Sequence, residues 1–88
     1  MAQKNILFIM PDQLRFDYPS CAGHKTLHNP NFNRVAARGV RFTNAYVQSP
    51  VCGASRMSIY TGRYVASHGA IWNKFPIRVG EFTLGDHL

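Results

Sequence analysis

The 88-residue sequence has only two cysteines and no long apolar run. Two thiols cannot complete a tetrahedral zinc site alone, and in a reducing compartment we expect both to be free. The longest apolar run, Ile6 to Met10, has five residues, whereas a membrane-spanning helix needs roughly 18–20. A run so short, followed at once by Pro11, is also unlike a signal peptide. These absences predict a cytoplasmic protein with no membrane partner.

Acidic residues are scarce as well, with four Asp and Glu against ten Lys and Arg and a formal net charge of +6. Such an excess suits a polyanion, but the basic residues are scattered without a run of neighbours, so nucleic-acid binding is not expected. An apolar fraction of 45% and a charged fraction of 16% argue against disorder. A chain of this length hides only roughly 60–65% of the surface its unfolded form exposes, so its core is marginal.

The first half of the chain has the pattern of a strand, a helix and a second strand. Residues 5–10, Asn-Ile-Leu-Phe-Ile-Met, are typical of a parallel strand buried on both faces. Asn29 is a predicted cap for a helix that begins at Pro30 and ends at Gly39. Residues 40–47 are rich in β-branched and aromatic residues. The order predicts an α/β fold with a right-handed crossover.

The second half contains one clear helical pattern, Ser55 to Tyr60, ended by Gly62. A loop is predicted after it, as it is for residues 17–28, where no period is sustained. Thr83 is a predicted N-cap, which places Leu88 about one turn into a further helix. Because a helix needs several turns and a packed face, we expect residues 1–88 to be an incomplete segment of a domain.

Cys52 and Arg56 are four residues apart, which is one helical turn, and they follow Pro50. A thiol at a helix N-terminus is close to free N–H groups and to the positive end of the helix dipole. An anion that forms or binds there is stabilised. The interval from Cys52 to Arg56 is too short for a cysteine-phosphatase loop, so that chemistry is not predicted.

Asp12 and Gln13 are candidate ligands for a divalent cation. They follow the first predicted strand, and ligands of open α/β sheets collect beyond the carboxyl ends of strands. Carboxylate and amide oxygens are the donors that a hard cation prefers. The alternative is a polar pair that caps a strand end. The four histidines, His24, His28, His68 and His87, are not predicted to bind metal.

The segment around Cys52 resembles the signature of the type I sulfatases, in which Cys-X-Pro-Ser-Arg or Cys-X-Ala-Ser-Arg is followed, after four residues, by Thr-Gly. Residues 52–56 read Cys-Gly-Ala-Ser-Arg, and residues 61–63 read Thr-Gly-Arg. Other stretches resemble the amino-terminal part of the family in the same order: residues 5–13, 28–32 and 37–42. The resemblance implies an alkaline-phosphatase-like α/β fold, of which the chain would supply the N-terminal part of a mostly parallel sheet flanked by helices.

In the sulfatases the signature cysteine is oxidised to formylglycine by a formylglycine-generating enzyme, and the aldehyde hydrates to a diol. One diol oxygen attacks the ester, and the other later expels the product. The resemblance implies that residue 52 is this modified nucleophile and a metal ligand, and that Arg56 holds it and neutralises the anionic centre. It also implies a divalent cation at Asp12 and Gln13, with calcium preferred and manganese or magnesium as alternatives.

Asp12-Gln13 and Asn73 are most similar to choline sulfatases and phosphonate monoester hydrolases, which have an active-site asparagine after the signature. The resemblance implies that Asn73 donates to a nonbridging oxygen of the substrate; a loop asparagine near a turn is the alternative. It implies hydrolysis of a small-molecule sulfate monoester, with phosphonate monoesters or phosphodiesters as the alternative. The family's remaining metal ligands and proton donors come from later sequence, in the remainder of the catalytic chain. Assembly into a homo-oligomer stays open.

A small, non-catalytic binding domain is the alternative from another class. In that case Cys52 is an ordinary thiol, as we expect for Cys21, which is predicted to be partly buried. A cooperative thermal transition of the isolated chain would favour this alternative.

Overall fold

The structure, a computed structural model, describes residues 3–88 of the 88-residue sequence, which was expected to be one N-terminal segment of a catalytic domain. The contacts divide the chain into two compact units, the first ending at Arg41 and the second spanning Phe42–Leu88. The described part of the first unit has a 3₁₀ turn, Ser20–Ala22, and helix α1, Pro30–Arg38. The helices of the second unit are α2, Cys52–Thr61; α3, Val65–His68; and α4, Leu84–His87.

In the first unit, Ser20 joins the 3₁₀ turn to α1. Its hydroxyl accepts the N–H of Asn29 at 3.0 Å and donates to Asn33 Oδ1 at 3.0 Å. Its own N–H donates to Asn29 Oδ1 at 3.2 Å. Helix α1 begins at Pro30 and ends before Gly39, as predicted. The prediction that the Asn29 side chain caps α1 is wrong, because the amide oxygen of Asn29 accepts the Ser20 N–H instead.

The buried centre of the second unit is small and lies where α2 packs against α3 and the loop after it. Ala54 and Ala70 are fully buried, and Ser58 and His68 are the buried polar residues. Ser58 Oγ lies 2.8 Å from His68 Nε2, so the two polar side chains satisfy each other. Helix α2 ends at Gly62, whose φ of 66° is a conformation that glycine adopts without strain.

Two further contacts order the chain after α3. Arg63 Nη1 donates to both carboxylate oxygens of Glu81 at 2.7 and 2.8 Å, and the Glu81 side chain is only 8% exposed. Asp86 Oδ2 accepts the hydroxyl and the N–H of Thr83, both at 2.7 Å. These hydrogen bonds lower the pKa of Asp86, the hydroxyl more than the N–H. The predicted helix start at Thr83 is confirmed.

Helix α2 is longer than the sequence pattern predicts, because it begins at Cys52 and not at Ser55. The Ser55 N–H bonds to the Val51 carbonyl at 2.9 Å, so the residues before Ser55 already form the first turn. Helix α3 is a single turn in a region for which no helix was predicted; its His68 N–H bonds to the Tyr64 carbonyl at 3.1 Å. Turns this short leave little periodicity in a sequence.

The two predicted strands are wrong for this structure, since residues 3–88 contain no strand. Residues 5–10 were expected to be buried, but Ile6 is 89% and Leu7 is 84% exposed. Within residues 40–47, Tyr46 is 89% exposed. A strand takes its hydrogen bonds from neighbouring strands, and neither segment pairs with one in the described residues. The α/β architecture is therefore not formed by residues 3–88 themselves.

Helix α2 has ten residues. None of the helices found between residues 3 and 88 has both the length and the apolar character needed to cross a membrane.

Candidate active site

Cys52 is the first residue of α2 and is exposed. The residue before it, Val51, has extended backbone and supplies no side-chain cap. The first N–H groups of a helix have no partner within the helix, so they carry partial positive charge toward whatever lies at the N-terminus. The thiol therefore lies at a helix N-terminus, as the sequence predicted.

Asn73 lies against this N-terminus and caps the helix, which the N-cap residue Val51 does not do. Its Oδ1 accepts the Gly53 N–H at 2.7 Å and the Cys52 thiol at 3.0 Å. Because a backbone N–H can only donate, the atom facing it must be the amide oxygen and not the nitrogen. The NH₂ group of Asn73 therefore points to the other side of the amide. The structure brings together two of the predicted site residues that are 21 positions apart in the sequence.

A tight turn presents Asn73 to α2. The Phe75 N–H approaches the Trp72 carbonyl at 3.4 Å, and Lys74 between them has a φ of 64°. A positive φ at the third position is the mark of a type II turn, where glycine is usual. Lysine in this region is uncommon and costs conformational energy, so the surrounding contacts must hold the turn.

Gly53 is a site residue that the sequence analysis missed. A Cβ at this position would lie 2.7 Å from Asn73 Oδ1, 3.0 Å from Asn73 Cα and 3.2 Å from the Trp72 carbonyl oxygen. Real Cβ atoms essentially never approach another heavy atom to 2.7 Å. The absent side chain therefore makes room for Asn73. No local signal identified it, because the sequence pattern predicted a helix that begins only at Ser55, after Gly53.

Arg56 lies one turn after Cys52 on α2 and is half-buried. Residues four apart in a helix share a face, so Arg56 and Cys52 belong to the same side of α2. Cys52 and Arg56 are therefore one turn apart on a helix, as predicted. The role of Arg56 toward residue 52 stays a prediction.

Asp12 and Gln13 belong to the first unit and are exposed. Gln13 has a φ of 54°, which is uncommon for a residue with a side chain and is found in strained backbone at functional sites. Within residues 3–88, no group of three or more His, Cys, Asp or Glu side chains is placed to hold an ion. The metal assignment for Asp12, Gln13 and residue 52 therefore stays a prediction.

The contacts of His24 and His68 and the partial burial of Cys21 are explained by the fold alone. His24 Nδ1 accepts the N–H groups of Thr26 at 3.3 Å and Leu27 at 3.1 Å, which closes a loop. His68 is buried against Ser58. Cys21 is a half-buried free thiol, as predicted, and Cys52 is the exposed one. Of the two thiols, only Cys52 combines exposure with a helix N-terminus.

The chain is similar in sequence to known proteins. The family model described as Sulfatase matches residues 4–88. Steryl-sulfatase of Homo sapiens is 39% identical over 74 residues, covering 83% of this chain and 13% of that protein. Arylsulfatase of Clostridium perfringens (strain 13 / Type A) is 43% identical over 86 residues, covering 90% of this chain and 18% of that protein.

A third relative is the multifunctional alkaline phosphatase superfamily protein PehA of Trinickia caryophylli. It is 33% identical over 93 residues, covering 100% of this chain and 18% of that protein. The chain thus spans between 13% and 18% of the length of these three relatives. Similarity to the family implies an alkaline-phosphatase-like α/β fold, although residues 3–88 contain no strand.

Proposed function

The chain belongs to the sulfatase family, and from that premise we propose that it carries the nucleophile of an enzyme that hydrolyses sulfate monoesters. Residues 1–88 would form the N-terminal segment of the catalytic domain, and the remainder of the domain would complete the site. The segments 5–10 and 40–47 would then each be a strand of a mostly parallel sheet that the remainder of the domain completes. Their exposed apolar side chains suit strands that are buried on both faces once such a sheet is present.

The observation that carries the proposal is the position of Cys52. It is exposed at the first position of α2, and its thiol donates to Asn73 Oδ1 at 3.0 Å. Exposure gives access both to a modifying enzyme and to a substrate. The helix N-terminus favours the negative charge that a nucleophile and a sulfate ester bring.

Residue 52 would act after conversion to formylglycine by a formylglycine-generating enzyme. The local geometry fits this group, because a hydroxyl in place of the thiol can donate the same hydrogen bond to Asn73 Oδ1. When hydrated, formylglycine supplies an oxygen nucleophile and a second hydroxyl through which the sulfate is released.

Arg56 and Asn73 would bind and orient the reacting groups. Arg56 has a permanent positive charge on the same side of α2 as residue 52, which suits an anionic centre. Asn73 uses its oxygen to cap α2. Its NH₂ group is directed away from that contact and could donate to a nonbridging oxygen of the ester, where charge develops.

A divalent cation would be held by Asp12, Gln13 and residue 52. The donor set fits in kind, since carboxylate and amide oxygens suit a hard cation, with calcium preferred and manganese or magnesium as alternatives. These three residues are too few to complete the site, because calcium takes about 6–8 oxygen ligands. Other segments or water would supply the rest. The cation would polarise the ester and favour the ionised form of the nucleophile.

The test is the mass of the tryptic peptide Phe42–Arg56 from protein made in a host with a formylglycine-generating enzyme. We expect the mass of the aldehyde or its hydrate at residue 52, and the unchanged thiol mass in a host without that enzyme. A thiol in both hosts would overturn the nucleophile assignment. It would favour the non-catalytic binding domain, in which Cys52 is an ordinary thiol.

A second candidate substrate class is phosphonate monoesters or phosphodiesters, cleaved by the same residues. Asp12-Gln13 and Asn73 fit it equally well, and the relative PehA carries the word multifunctional in its name. Steady-state kinetics of the whole enzyme on matched aryl sulfate and aryl phosphonate esters would decide between them. A higher kcat/KM for the sulfate supports the first proposal, and a higher value for the phosphonate supports the second.

A further inference from the structure

The loop that carries Asn73 is anchored at its other end by a fully buried histidine. His68, the last residue of α3, has no solvent-exposed surface. Its Nε2 lies 2.8 Å from Ser58 Oγ, and Ser58 is itself only 7% exposed on α2. His68 and Asn73 are five positions apart, so a fixed point at His68 limits where Asn73 can lie.

Both ring nitrogens of His68 are engaged, which defines its tautomer. Nδ1 accepts the Ala70 N–H at 3.1 Å. A nitrogen that accepts from an N–H carries no proton, so the proton of the neutral ring is on Nε2 and is donated to Ser58 Oγ. The ring thus joins the loop backbone at Ala70 to the side of α2 at Ser58. Because water does not reach this contact, a lost hydrogen bond there is not replaced.

The first turn of α2 contains two small residues, Gly53 and Ala54. Ala54 is fully buried, and so is Ala70 on the loop. Gly53 has no side chain where Asn73 Oδ1 approaches. Small side chains let the loop backbone lie close to α2, so the loop fits this face only in a narrow range of positions.

The middle of the loop contributes little to holding it. Ile71 is 57% exposed and Trp72 is 59% exposed, so neither side chain fixes the path through packing. The hydrogen bonds of Asn73 to Cys52 and Gly53 lie at the surface, where water competes with them. The buried contact of His68 with Ser58 is therefore the firmer of the two anchors.

We propose that His68 is a positioning residue: its buried hydrogen bonds to Ser58 and Ala70 hold the loop so that Asn73 reaches the N-terminus of α2 beside residue 52. His68 acts through Asn73 and does not itself touch the substrate. The proposed consequence for turnover rests on the proposed function, in which Asn73 stabilises charge that develops in the transition state. The structural part of the proposal does not rest on it.

The test measures hydrogen exchange of the Gly53 amide in the whole protein, made in a host that leaves Cys52 unmodified. This N–H has no partner within α2 and is protected by Asn73 Oδ1. The Tyr60 amide, in the last turn of the same helix, is the internal reference. The variants are His68→Leu, which removes both ring contacts, and His68→Gln, whose amide can both donate and accept. Ser58→Ala is the milder change if the leucine variant folds poorly.

We expect Gly53 exchange to become roughly tenfold faster in His68→Leu and in Ser58→Ala, with Tyr60 unchanged. His68→Gln should restore most of the protection. In an Asn73→Ala background, His68→Leu should add no further change at Gly53, because the two residues act in series. His24→Leu is the matched control: that ring also accepts backbone N–H groups, but in a loop of the first unit.

Unchanged Gly53 exchange in both His68→Leu and Ser58→Ala would overturn the proposal. Equal acceleration at Gly53 and Tyr60 would also overturn it, because it would mean that His68 stabilises α2 as a whole. In the modified enzyme, the same variants should lower kcat with little change in KM. If exchange responds but kcat does not, the positioning role stands and the proposed role of Asn73 in catalysis fails.

Discussion

Helix α1 begins at Pro30 and helix α2 begins two residues after Pro50, and neither receives a hydrogen bond from its own N-cap side chain. At the start of α1, Ser20 bonds with Asn29 and Asn33, which follow it by 9 and 13 positions. The start of α2 is satisfied by Asn73, from 20 residues further along the chain. The contacts at α1 join only uncharged polar groups, whereas the contacts at α2 also include the exposed Cys52 thiol, beside the Gly53 N–H. The start of α2 is the candidate site, and its cap comes from a distant loop.

The largest expected effect separates the two cysteines, one in each unit. Cys52→Ala should lower kcat/KM by at least about 10³-fold, because no other described group can become the proposed nucleophile. Cys21→Ala, beside α1, should leave turnover unchanged. Both variants are assayed as the whole enzyme on an aryl sulfate, with thermal unfolding to confirm folding. Equal losses in the two variants would mean that the loss reflects folding and not chemistry.

The next effect separates the two functions of the Asn73 amide. Asn73→Ala removes the cap and the donor, and should lower kcat by roughly 10²-fold. Asn73→Asp keeps an oxygen for the Gly53 N–H but has no NH₂ group, so Gly53 should stay protected from exchange while turnover is still lost. Asn29→Ala, at the start of α1, should cost only about 1 kcal/mol of stability. Full activity in Asn73→Asp would rule out donation by this amide.

A smaller effect is expected from adding one methyl group to the start of α2. Gly53→Ala places a Cβ 2.7 Å from Asn73 Oδ1, and the displaced amide should lower kcat by roughly tenfold. Gly85→Ala in α4 is the control, because its nearest neighbour, Thr83 Oγ1, would be 3.8 Å away. There alanine should be neutral or stabilise by up to about 1 kcal/mol, as helix propensity favours it. Similar kinetics for the two variants would show that the close approach at Gly53 does not matter for turnover.

The smallest effect concerns pH at the start of α4. Hydrogen bonds from Thr83 lower the folded-state pKa of Asp86, so its contribution to stability is present above the unfolded-state pKa. It is lost as the pH falls through the folded-state value. Exchange of the Thr83 amide, corrected for its intrinsic pH dependence, should therefore speed up at acidic pH, and Asp86→Asn should remove this dependence. Helix α1 has no acidic residue in its first turn, so no such response is expected at its start.

Sequence reasoning located the helices better than it located their partners. It predicted the start of α1 at Pro30 and the end of α2 at Gly62, because proline and glycine restrict or permit particular backbone angles wherever they occur. It placed Asn29 wrongly as a cap, because Ser20 competes for that amide through a contact nine residues away. It missed α3, whose single turn is held by packing against α2 rather than by any repeat in the sequence.

The predicted strands also show that a local sequence pattern does not identify the partner of a segment. Residues 5–10 have every local property of a buried strand, yet the described chain offers no neighbour to pair with them. Local composition gives a segment the capacity to be a strand. Pairing requires other backbone with free N–H and C=O groups, which composition cannot supply.

The sequence by itself determined the spacing of Cys52 and Arg56 and the end of their helix at Gly62, because these depend on backbone rules that act over about four residues. Only the tertiary structure decided that Asn73 caps this helix, that Gly53 must lack a side chain and that His68 is buried against Ser58. Each of these depends on the path of a loop across α2. That path follows from close packing and hydrogen bonds between residues far apart in the chain, which no local pattern encodes.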